Sequence, residues 1–200
     1  MRLPRDLSAV DAVVFDLDGT LIHAGHDFGW IKRTLGLRAD MPLMEAVASR
    51  PEAEQARIWP EIEAWERRHG ELATPDPSAP ALLDGLARRG VRLGVLTRNT
   101  RETALRTLEV TGLAGWFDPA HVLGRHDAPP KPDPAGLARL LSGWGAPATR
   151  AVMVGDAPHD TDTGARIGAW TVGIDPGDRG FRDVDLLVPA LGGLVAHWGL

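Results

Sequence analysis

Short apolar runs that end abruptly in polar residues constrain the fold of this chain more than any other feature. Three such runs, at residues 12–15, 91–96 and 151–154, consist mainly of aliphatic and aromatic residues. Runs of this kind are typical of strands that a parallel sheet buries on both faces. We expect them to form the centre of such a sheet. Weaker strand patterns occur at residues 121–123, 170–174 and 185–188.

Helical patterns separate the predicted strands. Residues 79–89 bring Leu82, Leu83 and Leu86 to one side, and the pattern stops at Gly90. Further helices are predicted before the C-terminus and at residues 101–110, 134–144 and 161–168. This alternation of strands and helices predicts a doubly wound α/β fold with a parallel sheet. In such folds ligands bind beyond the carboxyl ends of the strands.

One segment, residues 24–78, interrupts this alternation. Helical patterns occur in it at residues 28–37, 41–48 and 51–72, and no strand pattern is found before residue 76. Pro60 would either kink the last helix or begin a new one, and residues 73–80 have the composition of a linker. We therefore divide the chain into an α/β core, residues 1–23 and 79–200, and a small all-helical cap, residues 24–78. The cap is expected to lie over the active end of the sheet; the alternative is a helical detour with no role.

Composition and charge exclude several classes of function. The chain has 200 residues and a net charge of −5, so it lacks the excess of Lys and Arg that nucleic acid binding requires. It contains no cysteine, which excludes disulfides and thiolate metal sites. No secretory signal is visible, and the least polar stretch, residues 186–200, is too short to span a bilayer. We expect a cytoplasmic monomer or homodimer that binds neither nucleic acid nor membrane.

Asp16 and Asp18 follow the first predicted strand two residues apart, so both side chains leave the chain on the same side. Two carboxylates held this close must share a cation or a proton. An aspartate that attacks phosphorus needs such a cation because carboxylate and phosphate are both anions, and a second acid can protonate the leaving oxygen. Gly19 permits the sharp turn that follows, and the hydroxyl of Thr20 could orient an aspartate. The alternative is an Asp-Gly surface turn, which the flanking apolar residues disfavour.

Thr97 ends the second apolar run, and Arg98, Asn99 and Thr100 lead into a predicted helix. Backbone N–H groups at the start of a helix attract phosphate, and a hydroxyl adds a neutral donor. An ordinary helix cap is the alternative interpretation, since Thr97, Asn99 or Thr100 could each serve as one. The position directly after a buried strand favours a phosphate site.

Lys131 lies in a proline-rich stretch, residues 129–134, which stiffens the approach to it. An ammonium held there could neutralise phosphate charge and keep Asp16 ionised. The alternative is an exposed lysine in a turn, where most lysines lie.

Asp156 follows the third apolar run, and Asp160 lies four residues later. If a helix begins between them, both carboxylates face the same way. Carboxylate oxygens from two strand ends, completed by water, suit Mg²⁺. Asp160 could instead cap the helix, and Asp162 is interpreted as the acid of the helix start. His159, with no second histidine at ligand spacing, is expected to be exposed.

Together these segments resemble the haloacid dehalogenase superfamily over nearly the whole chain outside residues 24–78. The D-x-D-G-T motif of that family is matched by residues 16–20, and its strand-end Thr or Ser by Thr97. Its lysine before proline is matched by Lys131, and its G-D-x-x-x-D motif by residues 155–160. The phosphoglycolate phosphatase-like branch is the most similar, although the cap here is shorter than is usual in that branch.

The resemblance implies a phosphatase that forms a transient aspartyl-phosphate. Asp16 would be the nucleophile, and Asp18 would act first as general acid and then as general base. Thr97 and Lys131 would hold the transferring phosphoryl group. Because true dehalogenases lack the second acid, Asp18 argues against dehalogenation.

The resemblance also implies Mg²⁺ as the cofactor and a small phosphorylated metabolite, phosphoglycolate-like or a sugar phosphate, as the substrate. Asp160 would bind the metal directly or through water, and Asp18 would offer its carbonyl. The expected metal ligands are Asp16, Asp18, Asp156 and Asp160. The expected substrate-binding positions are Leu17, Gly19, Thr20, Arg98 and Asn99.

Three alternative functions stay open at this point. A phosphomutase of the β-phosphoglucomutase type would transfer the phosphate to a sugar instead of water. A receiver-like signalling domain also uses clustered aspartates with a threonine and a lysine, but in another order and without inserted helices. A non-catalytic binding protein has little support because every expected catalytic position is filled.

Cap residues are expected to read the leaving group, with a solvated helical face as the alternative. The basic candidates are Lys32, Arg33, Arg38 and Arg50. Trp30, Trp59 and Trp65 could line a pocket, although packing inside the cap or core is the simpler interpretation for them.

Overall fold

Strands and helices alternate along most of the chain in the computed structural model, which describes residues 3–200. The strands are β1 (Ala12–Phe15), β2 (Ile22–His23), β3 (Thr74–Pro75), β4 (Arg92–Leu96), β5 (Val122–Leu123), β6 (Ala151–Gly155), β7 (Trp170–Ile174) and β8 (Leu186–Val188). The α-helices are α1 (Phe28–Thr34), α2 (Leu43–Ala48), α3 (Glu52–Glu71), α4 (Ala79–Arg88), α5 (Arg101–Val110), α6 (Ala135–Trp144), α7 (Pro158–Ala165) and α8 (Gly192–Trp198). Short 3₁₀ helices lie at Leu7–Ala9, Ala114–Trp116, Pro119–His121 and Ala148–Arg150.

Six parallel strands form the central sheet in the order β5-β4-β1-β6-β7-β8. The chain runs from β1 outward to β4 and β5, then returns to the other side of β1 as β6. Val13 of β1 therefore pairs with Leu93 of β4 on one side and with Val152 of β6 on the other. The predicted doubly wound α/β fold is confirmed, and the strand order changes direction at β1.

Helices cover both faces of the sheet. Val13 and Phe15 of β1 join a core with the leucines of α4 and α5, whereas Ala12 and Val14 join a second core with the leucines of α6. All four residues are fully buried. Burial on both sides explains why this strand is continuously apolar instead of alternating.

The helices α1–α3, called the inserted helices from here on, lie between β2 and β3. They share a hydrophobic cluster of their own that includes Ile31, Leu43, Val47, Ile62 and Trp65. The prediction that no strand occurs between residues 24 and 76 is wrong, because Thr74 and Pro75 pair with His23 and Ile22 in a two-stranded antiparallel sheet. Strands of two residues are too short to carry any readable periodicity.

Pro60 lies inside the single helix α3 and neither ends it nor begins another. The helix predicted at residues 161–168 begins earlier, at Pro158, which suits the first turn because proline has no N–H to leave unpaired there. Across residues 3–200, no helix combines the length and the apolar character needed to cross a membrane.

A buried ion pair joins α3 to the loop that follows β5. Arg125 donates to Oε1 of Glu66 at 3.0 Å and also pairs with Oε2, and both side chains are at least nine-tenths buried. Arg125 donates in addition to the carbonyl of Arg98 and lies 4.9 Å above the ring of Trp59. Because the pair links α3 to a loop that follows a strand of the central sheet, it fixes the position of α3 over the sheet.

Replacing a helical glycine by alanine should have opposite effects on stability at two positions, Gly70 of α3, which packs against α5, and Gly143 of α6. A Cβ at Gly70 would overlap Oγ1 of Thr107, whereas a Cβ at Gly143 would meet no atom within 4 Å. Gly70→Ala should therefore lower the free energy of unfolding by about 1–3 kcal/mol through overpacking. Gly143→Ala, the matched control, should raise it by about 0.5–1 kcal/mol through helix propensity. Urea denaturation measures both; equal effects would contradict this packing.

The buried ion pair generates a second prediction. Glu66→Ala leaves the guanidinium of Arg125 buried without its carboxylate, and should lower the free energy of unfolding by about 3–5 kcal/mol. Glu61→Ala, an exposed glutamate on the same helix, should change it by less than about 0.5 kcal/mol. Similar losses in both variants, measured by urea denaturation, would show that the pair does not hold α3 in place.

Candidate active site

The carboxyl ends of three neighbouring strands lie at one cavity of about 300 Å³. Asp16, Thr97 and Asp156 are the residues directly after β1, β4 and β6, and all three line the cavity. Parallel neighbours end at the same edge of a sheet, which is why segments far apart in sequence meet here. The inserted helices and the loop before α2 close the opposite side with Phe28, Lys32, Pro42, Leu43, Met44 and Glu66.

Lys131 lies beneath the cavity and is 1% exposed, so the alternative of an exposed turn lysine is wrong. Its Nζ donates to Oδ1 of Asp16 at 2.5 Å and lies 2.6 Å from Oδ1 of Asp160. Burial by itself lowers the pKa of Lys131. The charges of Asp16 and Asp160 outweigh that effect, so the pKa of the ammonium is raised. Burial raises the pKa of Asp16, and the ammonium of Lys131 opposes that rise.

Three carboxylates form a compact acidic group, and two of them, Asp16 and Asp156, line the cavity. Ligand oxygens of Asp16, Asp156 and Asp160 all lie within 4.8 Å of one another. Hard oxygen donors at this spacing fit a divalent cation such as Mg²⁺, which keeps water in its remaining positions. Burial and the negative charge of Asp16 raise the pKa of Asp156 to about 7. Carboxylates held this close repel one another, and the repulsion favours either a bound cation or a bound proton.

Two glycines allow the backbone to approach these acids. Gly19 has a φ of +81°, and a Cβ there would overlap the carboxylate of Asp156. A Cβ at Gly155 would overlap the side chain of Asp160 in the same way. Asp160 in turn accepts a hydrogen bond from the backbone N–H of Ala157 at 3.0 Å, so it caps α7 while it faces Lys131. The interpretation of Asp160 as a helix cap is therefore confirmed, and its role as a metal ligand stays a prediction.

Asp18 lines the cavity between Asn99 and His26, and its carboxylate is not part of the acidic group. Oδ2 accepts from Nδ2 of Asn99 at 2.7 Å, and Oδ1 lies 3.3 Å from Nδ1 of His26. Burial, followed by the charges of Asp16 and Glu66, raises the pKa of Asp18 to about 8. A carboxyl group with such a pKa holds its proton near neutral pH and can deliver it to a leaving oxygen.

His26 belongs to an aromatic cluster that sequence reasoning missed. Its ring lies 4.7 Å from that of Trp65, 5.0 Å from that of His69 and 5.4 Å from that of Phe28, measured between centroids. Burial, with the nearby His69, lowers the pKa of His26 to about 4. The imidazole beside Asp18 is therefore neutral, and a lone histidine in sequence gives no signal of such a contact.

Thr97, Arg98 and Asn99, which directly follow β4, line the cavity together. Oγ1 of Thr97 accepts from the backbone N–H of Asn99 at 3.1 Å. Arg98 donates from Nε to the carbonyl of Lys131 at 3.1 Å and pairs with Glu45 of α2 at 2.9 Å. Its guanidinium thus connects an inserted helix to the sheet side.

Some of the remaining residues predicted to bind substrate lie at the cavity, and others do not. Leu17 and Thr20 are buried and do not line the cavity, whereas Gly19 contacts the acidic group through its backbone. The expected hydrogen bond from Thr20 to an aspartate is not formed, because its Oγ1 has no partner among residues 3–200. Among the basic candidates in the inserted segment, only Lys32 lines the cavity; Arg38 pairs with Asp40 and Arg50 with Glu54.

Three further residues around the cavity were not predicted. His159 was expected to be exposed, but its side chain is 29% exposed and lines the cavity, and burial lowers its pKa to about 3. Glu66 lies beside Trp65 on the buried face of α3. A charged residue on an apolar helix face is visible in the sequence, and it could have identified Glu66 as a residue with a special role. Arg179 pairs with the carboxylate of Asp156 and donates to its carbonyl at 2.9 Å, a long-range contact with no sequence signal.

Comparisons with known proteins agree with this geometry. A family model described as haloacid dehalogenase-like hydrolase matches residues 30–174. The chain is 36% identical over 190 residues to a phosphoglycolate phosphatase of Rhodospirillum rubrum, covering 80% of this chain and 78% of that protein. It is 32% identical over 182 residues to the pyrophosphatase PpaX of Bacillus velezensis, covering 82% of this chain and 83% of that one.

Solved structures give the same result. A haloacid dehalogenase phosphatase of Thermococcus onnurineus superposes with a TM-score of 0.71 at 25% identity, over 95% of this chain and 98% of that one. The match to the family model extends over more than half of the sequence and includes the ends of β4, β6 and the lysine beneath the cavity. This protein therefore belongs to the haloacid dehalogenase-like hydrolases.

Proposed function

We propose that this protein hydrolyses small phosphomonoesters in the presence of Mg²⁺, with Asp16 as the nucleophile. The observation that carries this proposal is the set of three carboxylates within 4.8 Å of one another, which includes Asp16 and lies against the buried Lys131. Two relatives named phosphoglycolate phosphatase and pyrophosphatase act on phosphorus, as their names state, and support this reaction class.

Asp16, Asp156 and Asp160 would hold the metal ion, and the main-chain carbonyl of Asp18 would add a further oxygen. The donor set consists of hard oxygens alone, which suits Mg²⁺ better than a softer metal. Bound there, the ion would offset the negative charge of the phosphoryl group and let a carboxylate approach it.

In the first step, a carboxylate oxygen of Asp16 attacks phosphorus, and the bond from phosphorus to the leaving oxygen breaks. Asp18, whose pKa of about 8 keeps it protonated near neutral pH, gives its proton to that oxygen and an alcohol departs. Lys131, Thr97 and the backbone N–H of Arg98 hold the phosphoryl oxygens in place. The product of this step is an aspartyl-phosphate on Asp16.

In the second step, water attacks the phosphorus of the aspartyl-phosphate. Asp18, now a carboxylate, takes one proton from that water, and the bond between phosphorus and Asp16 breaks. Inorganic phosphate leaves, and both aspartates return to their starting state. Asn99 holds Oδ2 of Asp18 in both steps and so keeps the acid aimed at the reacting oxygen.

Residues 24–78 act as a cap and residues 1–23 and 79–200 as the core in this proposal. The separate hydrophobic cluster of the inserted helices and their position over the cavity support this division. Closed over the site, the cap would limit the access of bulk water during the first step.

Asp16→Asn should remove turnover of p-nitrophenyl phosphate with Mg²⁺ to the level of the buffer, because an amide cannot form the acyl phosphate. Asp18→Asn should lower the rate by about 10²–10⁴-fold, because only the proton transfer is lost. Asp162→Asn, the same change at an exposed aspartate of α7, should keep the wild-type rate.

Full activity of the Asp16→Asn variant would reject Asp16 as the nucleophile. Release of inorganic phosphate from the ester, followed with no sugar acceptor present, distinguishes hydrolysis from mutase chemistry. Transfer of the phosphoryl group to an added acceptor sugar, without release of inorganic phosphate, would favour the mutase instead.

Mg²⁺ should stabilise the wild-type protein against unfolding, because the folded chain alone brings the three acids together. At a Mg²⁺ concentration near 100 times its Kd, the gain should be about 2.7 kcal/mol. Asp156→Asn should abolish most of this gain, and Asp162→Asn should preserve it. Thermal unfolding with Mg²⁺ and with EDTA measures the effect without reference to activity; an equal shift in all three proteins would place the metal elsewhere.

A further inference from the structure

The side of the cavity that faces away from the acids is largely apolar. Phe28, Pro42, Leu43 and Met44 of the inserted segment form it, and we call these four residues the apolar roof. Phe28 is 48% exposed, so a large aromatic surface at this site remains available to a ligand. An ester whose phosphorus lies beside Asp16 would extend its leaving group towards this roof.

Charged side chains around the roof already have partners inside the protein: Lys32 in hydrogen bonds, and Arg98 and Glu66 in ion pairs. Lys32 uses two of its three donors on the carbonyls of Ala39 at 2.9 Å and Met41 at 3.1 Å. With its head directed to those carbonyls, its stem adds further apolar surface.

Arg98 and Glu66 differ from Lys32, because each lies in an ion pair that offsets its charge. Arg98 is bound to Glu45 and to the carbonyl of Lys131, and Glu66 is held by both terminal nitrogens of Arg125. A carboxylate or second phosphate on the leaving group would have to compete with these contacts, and its desolvation would be poorly compensated.

We propose that the roof selects phosphomonoesters of uncharged, apolar alcohols, aliphatic or aromatic, over esters whose leaving group is anionic. This inference rests on the proposed phosphatase function and adds the class of leaving group. The volume of about 300 Å³ is at the lower limit of pockets that hold organic ligands and leaves space beyond the phosphoryl group. Burial of the leaving group against the roof supplies the binding energy that distinguishes its substrates.

The test is the value of kcat/KM for ethyl, propyl, butyl and pentyl phosphate with Mg²⁺. Their leaving alcohols have nearly the same acidity, so differences in rate report contact with the protein and not chemical reactivity. We expect kcat/KM to rise about fourfold for each added methylene until the roof is covered. Phosphoglycolate, which resembles ethyl phosphate in size but carries a carboxylate, should react more slowly than ethyl phosphate.

Roof variants identify the surface responsible. Phe28→Ala and, separately, Met44→Ala should reduce the ratio of the pentyl to the ethyl value. Trp30→Ala is the matched control, because Trp30 lies on the same helix as Phe28, is 46% exposed and does not line the cavity. A ratio taken within one enzyme is independent of any change in its basal rate, and two variants guard against the failure of one to fold.

Different results would reject this inference and the phosphatase function on which it rests. Equal kcat/KM values along the alkyl series, or a preference for phosphoglycolate or pyrophosphate, would overturn the apolar selection and leave the phosphatase function intact. An unchanged ratio in both roof variants would also overturn the assignment of the roof. Absence of turnover for every ester with Mg²⁺ would overturn the phosphatase function itself.

Discussion

The buried ammonium of Lys131 is the contact on which the arrangement of the site depends. It lies 2.5 Å from Asp16 and 2.6 Å from Asp160, while oxygens of these two aspartates and Asp156 come within 4.8 Å of one another. Acids brought this close and removed from water repel each other and tend to take up protons. A cation from the loop after β5 offsets part of that repulsion. The same acids still retain the negative charge that a divalent metal needs.

Ion pairs between the inserted helices and the sheet side shape the other half of the cavity. Glu66 with Arg125 and Glu45 with Arg98 hold the helices over the strand ends. Each pair offsets much of its own charge, so the inserted segment bounds the cavity mainly with apolar side chains, beside Lys32, whose ammonium donates to two backbone carbonyls. The negative charge of Glu66 still reaches Asp18, where it adds to burial in raising the pKa of that acid.

Much of this arrangement could be predicted from local sequence patterns. Continuous apolar runs predicted the buried strands. The polar residues directly after those runs, Asp16, Thr97 and Asp156, were predicted to gather at one end of the sheet, and all three line the cavity. Patterns failed where the structure depends on distant contacts or on elements too short to be periodic. The strand β3 has two residues, the hydroxyl of Thr20 does not reach an aspartate, and His159 lies at the cavity because other elements surround it.

By itself, the sequence determined the strands and helices, the doubly wound sheet and the edge at which the polar residues gather. Those properties follow from periodicity and from turn residues, which act over a few positions along the chain. Only the tertiary structure decided which acids come together in the group of three carboxylates, which acid lies between Asn99 and His26, and which basic side chains are already paired. Charge pairing, burial and the resulting pKa values depend on distances between residues far apart in sequence, and no local pattern contains those distances.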